Sequence, residues 1–154
     1  MKESFELRLE RMGIVLPAMS APLANYVPAV MSGDLLFLSG QGPRKPDGSW
    51  LRGKIGDTLT IADGYEHARV AGLNLLAAAK AALGSLDRIE RVVKLLGFVN
   101  ATADFSGHPR VINGCSDLLV EVLDEAGRHA RSAVGVGSLP EGISVEIEAI
   151  FKIH

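Results

Sequence analysis

At 154 residues the chain can bury one full hydrophobic core and is too short for two ordinary domains. Its residues are 47% hydrophobic and 22% charged, a globular balance that excludes a disordered or collagen-like chain. A formal net charge of -2, with Lys and Arg scattered along the chain, lacks the basic field that a phosphate-backbone binder uses, so dedicated nucleic-acid binding is disfavoured.

In chain order, residues 3–13 carry Phe5, Leu7, Leu9 and Met12 among charges, which predicts a short amphipathic helix stopped by Gly13 and followed by Pro17. This sets residues 1–16 apart as an N-terminal accessory helix, with the main domain at 17–154. From Met19 to Tyr26 the run MSAPLANY is loop-like. Two apolar runs, 27–31 and 35–39, flank Ser32, Gly33 and Asp34 and predict a strand pair joined by a tight turn. The stretch QGPRKPDGSWLRGKIGD holds two prolines and reads as a surface connection with a short strand near Trp50.

Between Thr60 and Leu83 the residues Ile61, Tyr65, Ala68, Gly72, Leu75, Ala79 and Leu83 recur at helical spacing, and Gly84 follows as a stop signal. Small residues in that stripe let the helix lie close to a sheet. Residues 89–99, IERVVKLLGFV, are apolar on both alternating faces, read as Val93, Leu95, Val99 and Val92, Leu96, Phe98. That pattern predicts a central strand buried on two sides. A second helix starts near Pro109, carries Val111, Ile112, Cys115, Leu118, Leu119 and Val122 on its inner stripe, and is expected to end at Gly127. Strands at 131–137 and 143–153 then flank the turn Leu139-Pro140-Glu141-Gly142 and read as a closing hairpin. The expected fold is therefore α+β, with two long helices on one face of a sheet. Two helices cover only one face, so a symmetric partner subunit is the economical cover for the other.

The motif inventory is mostly exclusion. The segment SGQGPRKPDG has glycines after a strand but no Gly-Lys-Ser/Thr, and Pro43 removes an amide that a phosphate cradle would use. His67, His108, His129 and His154 show no metal-ligand spacing and the single Cys115 cannot complete a Cys-rich site, so no metal is expected. No Gly-x-Ser-x-Gly elbow occurs. One cysteine cannot pair within the chain, and the N-terminus alternates charge where a signal peptide has an apolar core, so a reducing cytoplasm fits best. The longest apolar stretches are interrupted by Asn74, Lys80 and Lys94, and no membrane segment is expected.

What remains is RSAVGVGSLPEGISVEIEAI, with Arg131 at the start of one strand and Glu146 in the next. Alternation puts Val145, Ile147, Ala149 and Phe151 on one face of that strand and Ser144, Glu146, Glu148, Ile150 and Lys152 on the other. Two readings stay open: a surface strand with solvated acids, or an Arg and a Glu across one pocket. In the second, the planar Arg fork holds a small organic acid and the Glu activates or delivers water, with no metal and no organic cofactor.

At this stretch the sequence resembles the reactive intermediate deaminase (Rid/YjgF) family. The likeness is carried by Arg-Ser-x-Val, then Leu-Pro, then an alternating Val-Glu-Ile-Glu-Ala strand. Other landmarks fall in order: Tyr26 before the first strand, Leu38-Ser39-Gly40-Gln41 after the second, then Phe98-Val99, Asp104-Phe105 and Asn113. The resemblance implies a chorismate-mutase-like (YjgF-like) fold, a homotrimer with clefts at its interfaces, and hydrolysis of reactive 2-imino or enamino acids to 2-oxo acids and ammonia. It implies Arg131 on the substrate carboxylate, Glu146 on the water, Tyr26 and Asn113 lining the cleft, and contacts from Ser39 and Gly40. Ala133 stands where many family members have a cysteine, with a backbone contact expected to survive. The additional N-terminal helix and the long approach SGHPRVIN mark a divergent branch. His129 is expected to be an outward loop histidine, with a cleft role as the alternative. A non-catalytic binder of small carboxylates and an endoribonuclease are the competing functions. The second is disfavoured by charge and by the lack of a His-based acid/base pair.

Overall fold

The computed structural model describes residues 3–19 and 24–154, so the part of the expected loop at 20–23 lies outside the described residues. The chain runs α1 (Phe5–Arg11), β1 (Ala29–Ser32), β2 (Leu35–Gln41), α2 (Ile61–Leu83), β3 (Ile89–Asn100), α3 (His108–Leu123), β4 (Ala130–Val136) and β5 (Val145–Ile153). Among the described residues no helix is long and apolar enough to cross a membrane.

Local signals fix most element ends. Thr60 and Asp63 form a reciprocal capping box at the start of α2, and Gly84 ends it in the left-handed conformation at φ 81°. The helix expected to reach Gly127 stops at Leu123 and continues as a 3-10 turn, Asp124–Gly127. Gly127 still has a steric reason to be glycine, because a Cβ there would collide with the Leu119 carbonyl. The strand expected near Trp50 is a single antiparallel bridge between Arg44 and Trp50. Leu38 to Gln41, expected after the second strand, lie inside β2.

The sheet order is β1-β2-β5-β3-β4. This corrects the expected closing hairpin. β4 and β5 are adjacent in sequence but separated by β3, which pairs in parallel with β4 and antiparallel with β5. The reason is α3, a crossover of the kind that returns the chain to start a parallel strand, whereas a tight turn can only make antiparallel neighbours. β5 fills the central gap between β2 and β3.

Both long helices lie on one face. Leu36, Leu38, Val92, Leu95, Val99, Val145, Ile147, Ala149 and Phe151 are buried beneath them with Ala68, Leu75, Ile112 and Leu119. The faces read for β3 need correction at one point. Register shifts at Val92/Lys94, and this irregularity puts Val92 on the covered side with Leu95 and Val99 while leaving Val93 exposed. Among the described residues nothing covers the opposite face: Val30 is 52% exposed, Phe37 41% and Val134 42%. β3 is therefore buried on two sides only if something else supplies the second surface.

The α1 helix packs against this core through buried Phe5 and Leu9, and Glu6 accepts from Lys80 Nζ at 2.6 Å and from the Leu86 amide at 2.8 Å. The tightest backbone approach joins α2 to α3, where a Cβ on Gly114 would overlap the Tyr65 carbonyl. Gly114→Ala must therefore push the helices apart, and we expect a loss of about 3 kcal/mol in denaturant unfolding, at the upper end of overpacking costs.

Candidate functional site

Strand register decides which expected site residues can meet. Arg131 is opposite Leu95, and Leu95 is opposite Ala149, so all three point to the helix-covered face. Glu146 is opposite Phe98, which is opposite Val134, and these point to the open face. Arg131 and Glu146 of one chain thus lie on opposite sides of the sheet. A pocket with Arg131 on one side and Glu146 across from it therefore has to draw the two from different chains.

On the covered side, at the β4 edge, Arg131 is held by α3. Its Nη1 donates to Asn113 Oδ1 at 2.8 Å and to Ser116 Oγ at 3.1 Å, and its Nη2 donates a long bond to the Pro109 carbonyl at 3.5 Å. Pro109, Asn113 and Ser116 share one helical stripe at i, i+4 and i+7. A guanidinium has five N–H donors, and among the described residues these three bonds leave the Nε–H and one Nη2–H, on the edge that matches a carboxylate side-on. Asn113, expected to line a cleft, orients the Arg. Ala133 points to the same face as Arg131, opposite Gly97. His129 is not an outward loop residue: it is half-buried, with Nδ1 2.6 Å from the Gly127 carbonyl and Nε2 2.9 Å from Ser116 Oγ.

On the open side, Glu146 borders a cavity of ≈ 370 Å³ that Tyr26, Gly40, Trp50, Glu141 and Ile143 also line. Register shifts between Leu38 and Gln41 as β2 passes β5, and Ser39 and Gly40 occupy the irregularity. A Cβ on Gly40 would sit 3.1 Å from Glu146 Cδ, so this glycine lets the β2 backbone approach the carboxylate. Ser39 is turned aside, donating from Oγ to the Val27 carbonyl at 2.7 Å, which ties β2 to the segment after Tyr26. Glu141 holds a left-handed φ of 59°, and Arg52 Nε donates to its carbonyl at 2.7 Å. Arg44 lies over the Trp50 ring at 5.6 Å. Gly40 is signalled in the sequence only through the Leu38-Ser39-Gly40-Gln41 landmark, and this stack carries no sequence signal.

Alternation along β5 holds for Glu146, Glu148, Ile150 and Lys152, but Ser144 departs from it. Ser144 precedes the strand, is fully buried and has its Oγ 2.7 Å from His67 Nδ1 of α2. The two acids also differ: Glu148 is exposed, whereas Glu146 is half-buried. Burial, with a smaller contribution from the Glu148 charge, raises the Glu146 pKa above the usual carboxylate value. Cys115 beneath Arg131 is inert, its thiol pushed up to about 12 by burial.

With this geometry in view, residues 6–143 match the family described as "YjgF/chorismate_mutase-like, putative endoribonuclease". The chain belongs to the YjgF family. It is 46% identical to Protein TCP17 of Trypanosoma cruzi over 147 residues, which are 95% of this chain and 92% of that protein. Among solved structures, Atu1372 from Agrobacterium tumefaciens superposes with a TM-score of 0.89 at 45% identity, covering 97% of this chain and 94% of that one. The YjgF gene product of E. coli superposes with a TM-score of 0.64 at 29% identity, covering 89% and 92%. The five-stranded mixed sheet with its helices is the YjgF chorismate-mutase-like fold.

A raised carboxylate pKa has a sign for stability. Glu146 binds its proton more readily folded than unfolded, so its contribution is most favourable below the unfolded pKa and is lost as pH rises through the folded one. Glu146→Gln should therefore unfold at a higher temperature than the parent at pH 7, and melting curves taken down to acid pH should show that gap closing.

Proposed function

We propose that the chain hydrolyses reactive 2-imino or enamino acids to 2-oxo acids and ammonia, in clefts where the Arg131 edge of one subunit meets the Glu146 face of the next in a homotrimer. The observation that carries this reading is the Arg131 fork, pinned by α3 through Nη1 with its carboxylate-matching edge left over. The opposite-face parity supports the interface location, and the uncovered apolar face with Phe37 and Val134 supports a partner seated there.

In such a cleft Arg131 holds the substrate carboxylate and presents C2 to the neighbouring subunit. Glu146 there positions a water and accepts its proton as oxygen adds to C2 of the imine. Glu146 hands that proton to nitrogen to give the neutral carbinolamine, then carries the hydroxyl proton to nitrogen as the C–N bond breaks, releasing ammonia and leaving the 2-oxo acid. A carboxylate of raised pKa suits this exchange, because it takes the proton of the attacking water more readily than a solvated one.

Ammonia release from a freshly generated 2-imino acid is the direct assay. Glu146→Gln should lower turnover by about 10²-fold or more while keeping carboxylate binding, and Glu148→Gln, altering an exposed acid, should stay near the parent. Equal losses in the two variants would assign the chemistry to neither. Binding of 2-oxo acids without any ammonia release would instead favour a carboxylate-binding protein. Light scattering should report three chains per particle, and a stable monomer at micromolar concentration would contradict the interface site.

A further inference from the structure

We propose that His129 is a positioning residue for the Arg131 fork and acts through the hydroxyl of Ser116; the inference rests on the reading of Arg131 as the carboxylate anchor. A carbonyl oxygen only accepts, so the 2.6 Å approach of His129 Nδ1 to Gly127 requires the proton on Nδ1. In the neutral ring Nε2 is then an acceptor. It takes the single Ser116 hydroxyl proton at 2.9 Å, and Ser116 Oγ turns its lone pairs to Arg131 Nη1 at 3.1 Å. The direction of every bond in the chain from Gly127 to Arg131 is thereby fixed.

The anchor end is rigid. Gly127 is buried where the 3-10 turn folds back on α3, so close to the Leu119 carbonyl that no side chain fits. Burial keeps the imidazole pKa below its ordinary value, with the Arg131 charge acting in the same direction and the Gly127 bond opposing it. Without the His129 acceptor, the Ser116 hydroxyl would be free to turn back onto its own helix, the habit of mid-helix serines. Nη1 would then rely on Asn113 alone, and the Nε and Nη2 edge would lose its set direction.

The test is calorimetric titration of the full chain with pyruvate, alongside steady-state deaminase kinetics. Ser116→Ala and His129→Phe should each weaken pyruvate binding by about tenfold, the lower end of what one lost hydrogen bond to a charged group costs. The kinetic loss should fall on KM rather than kcat. Ser116→Thr and His129→Gln, which restore a hydroxyl and an acceptor, should recover most of the affinity. In an Arg131→Lys background, where no Nη1 exists, Ser116→Ala should add little further loss. Unchanged pyruvate affinity in Ser116→Ala, with affinity reduced in Arg131→Lys, overturns the relay and leaves the carboxylate anchor standing. A full-sized Ser116→Ala effect in the Arg131→Lys background also overturns it, by showing a merely structural role. Unchanged affinity in both Arg131→Lys and Arg131→Ala overturns the anchor and the relay together.

Discussion

The parallel pairing of β3 with β4 is the constraint on which the rest depends. It places β4 at the sheet edge with Arg131 turned towards α3, and it leaves the centre of the sheet to β5, whose Glu146 faces away from the helices. Because opposed residues in a ladder share a face, no side-chain rotation can bring these two groups together through the sheet. The catalytic reading therefore requires the fold to be used twice, once as donor of an edge and once as donor of a face. The same constraint accounts for the exposed Val30, Phe37 and Val134, which belong to the side that α2 and α3 cannot reach.

The two halves of the site are built by different means. Arg131 is directed by hydrogen bonds from one stripe of α3, a rigid element, which in the proposed cleft limits the entropy to be lost on binding an acid. Glu146 is directed by steric closeness at the Ser39 and Gly40 irregularity and is tuned by burial. In the proposed reaction one half supplies orientation and the other a proton acceptor, the division of labour that hydrolysis of an imino acid needs.

Much of this was legible in the sequence, because the signals were local. The Thr60 cap, the Gly84 stop and the apolar stripe of α2 depend only on helical periodicity, and the two faces of β5 only on alternation. The final hairpin was misread because strand adjacency in sequence says nothing about a strand inserted between neighbours, and the faces of β3 were misread because an irregularity near Lys94 breaks the period of two. Arg131 and Glu146 stood out by residue type, but their placement on opposite faces is a property of pairing. The supports of Arg131 were hidden similarly: Pro109, Asn113 and Ser116 form a readable stripe, but its target strand is known only once β4 is in place. The roles of His129 and Gly40 come from contacts that no spacing encodes.

Subunit complementation tests the central claim most directly. Arg131→Ala and Glu146→Gln chains, each inactive alone, are unfolded together, refolded as a mixture and assayed for ammonia release. If each site takes Arg131 from one chain and Glu146 from its neighbour, random assortment restores about one site in four, and activity returns to that fraction of the parent. If both groups act within one chain, no intact site can form, and a mixture as inactive as its components would contradict the account.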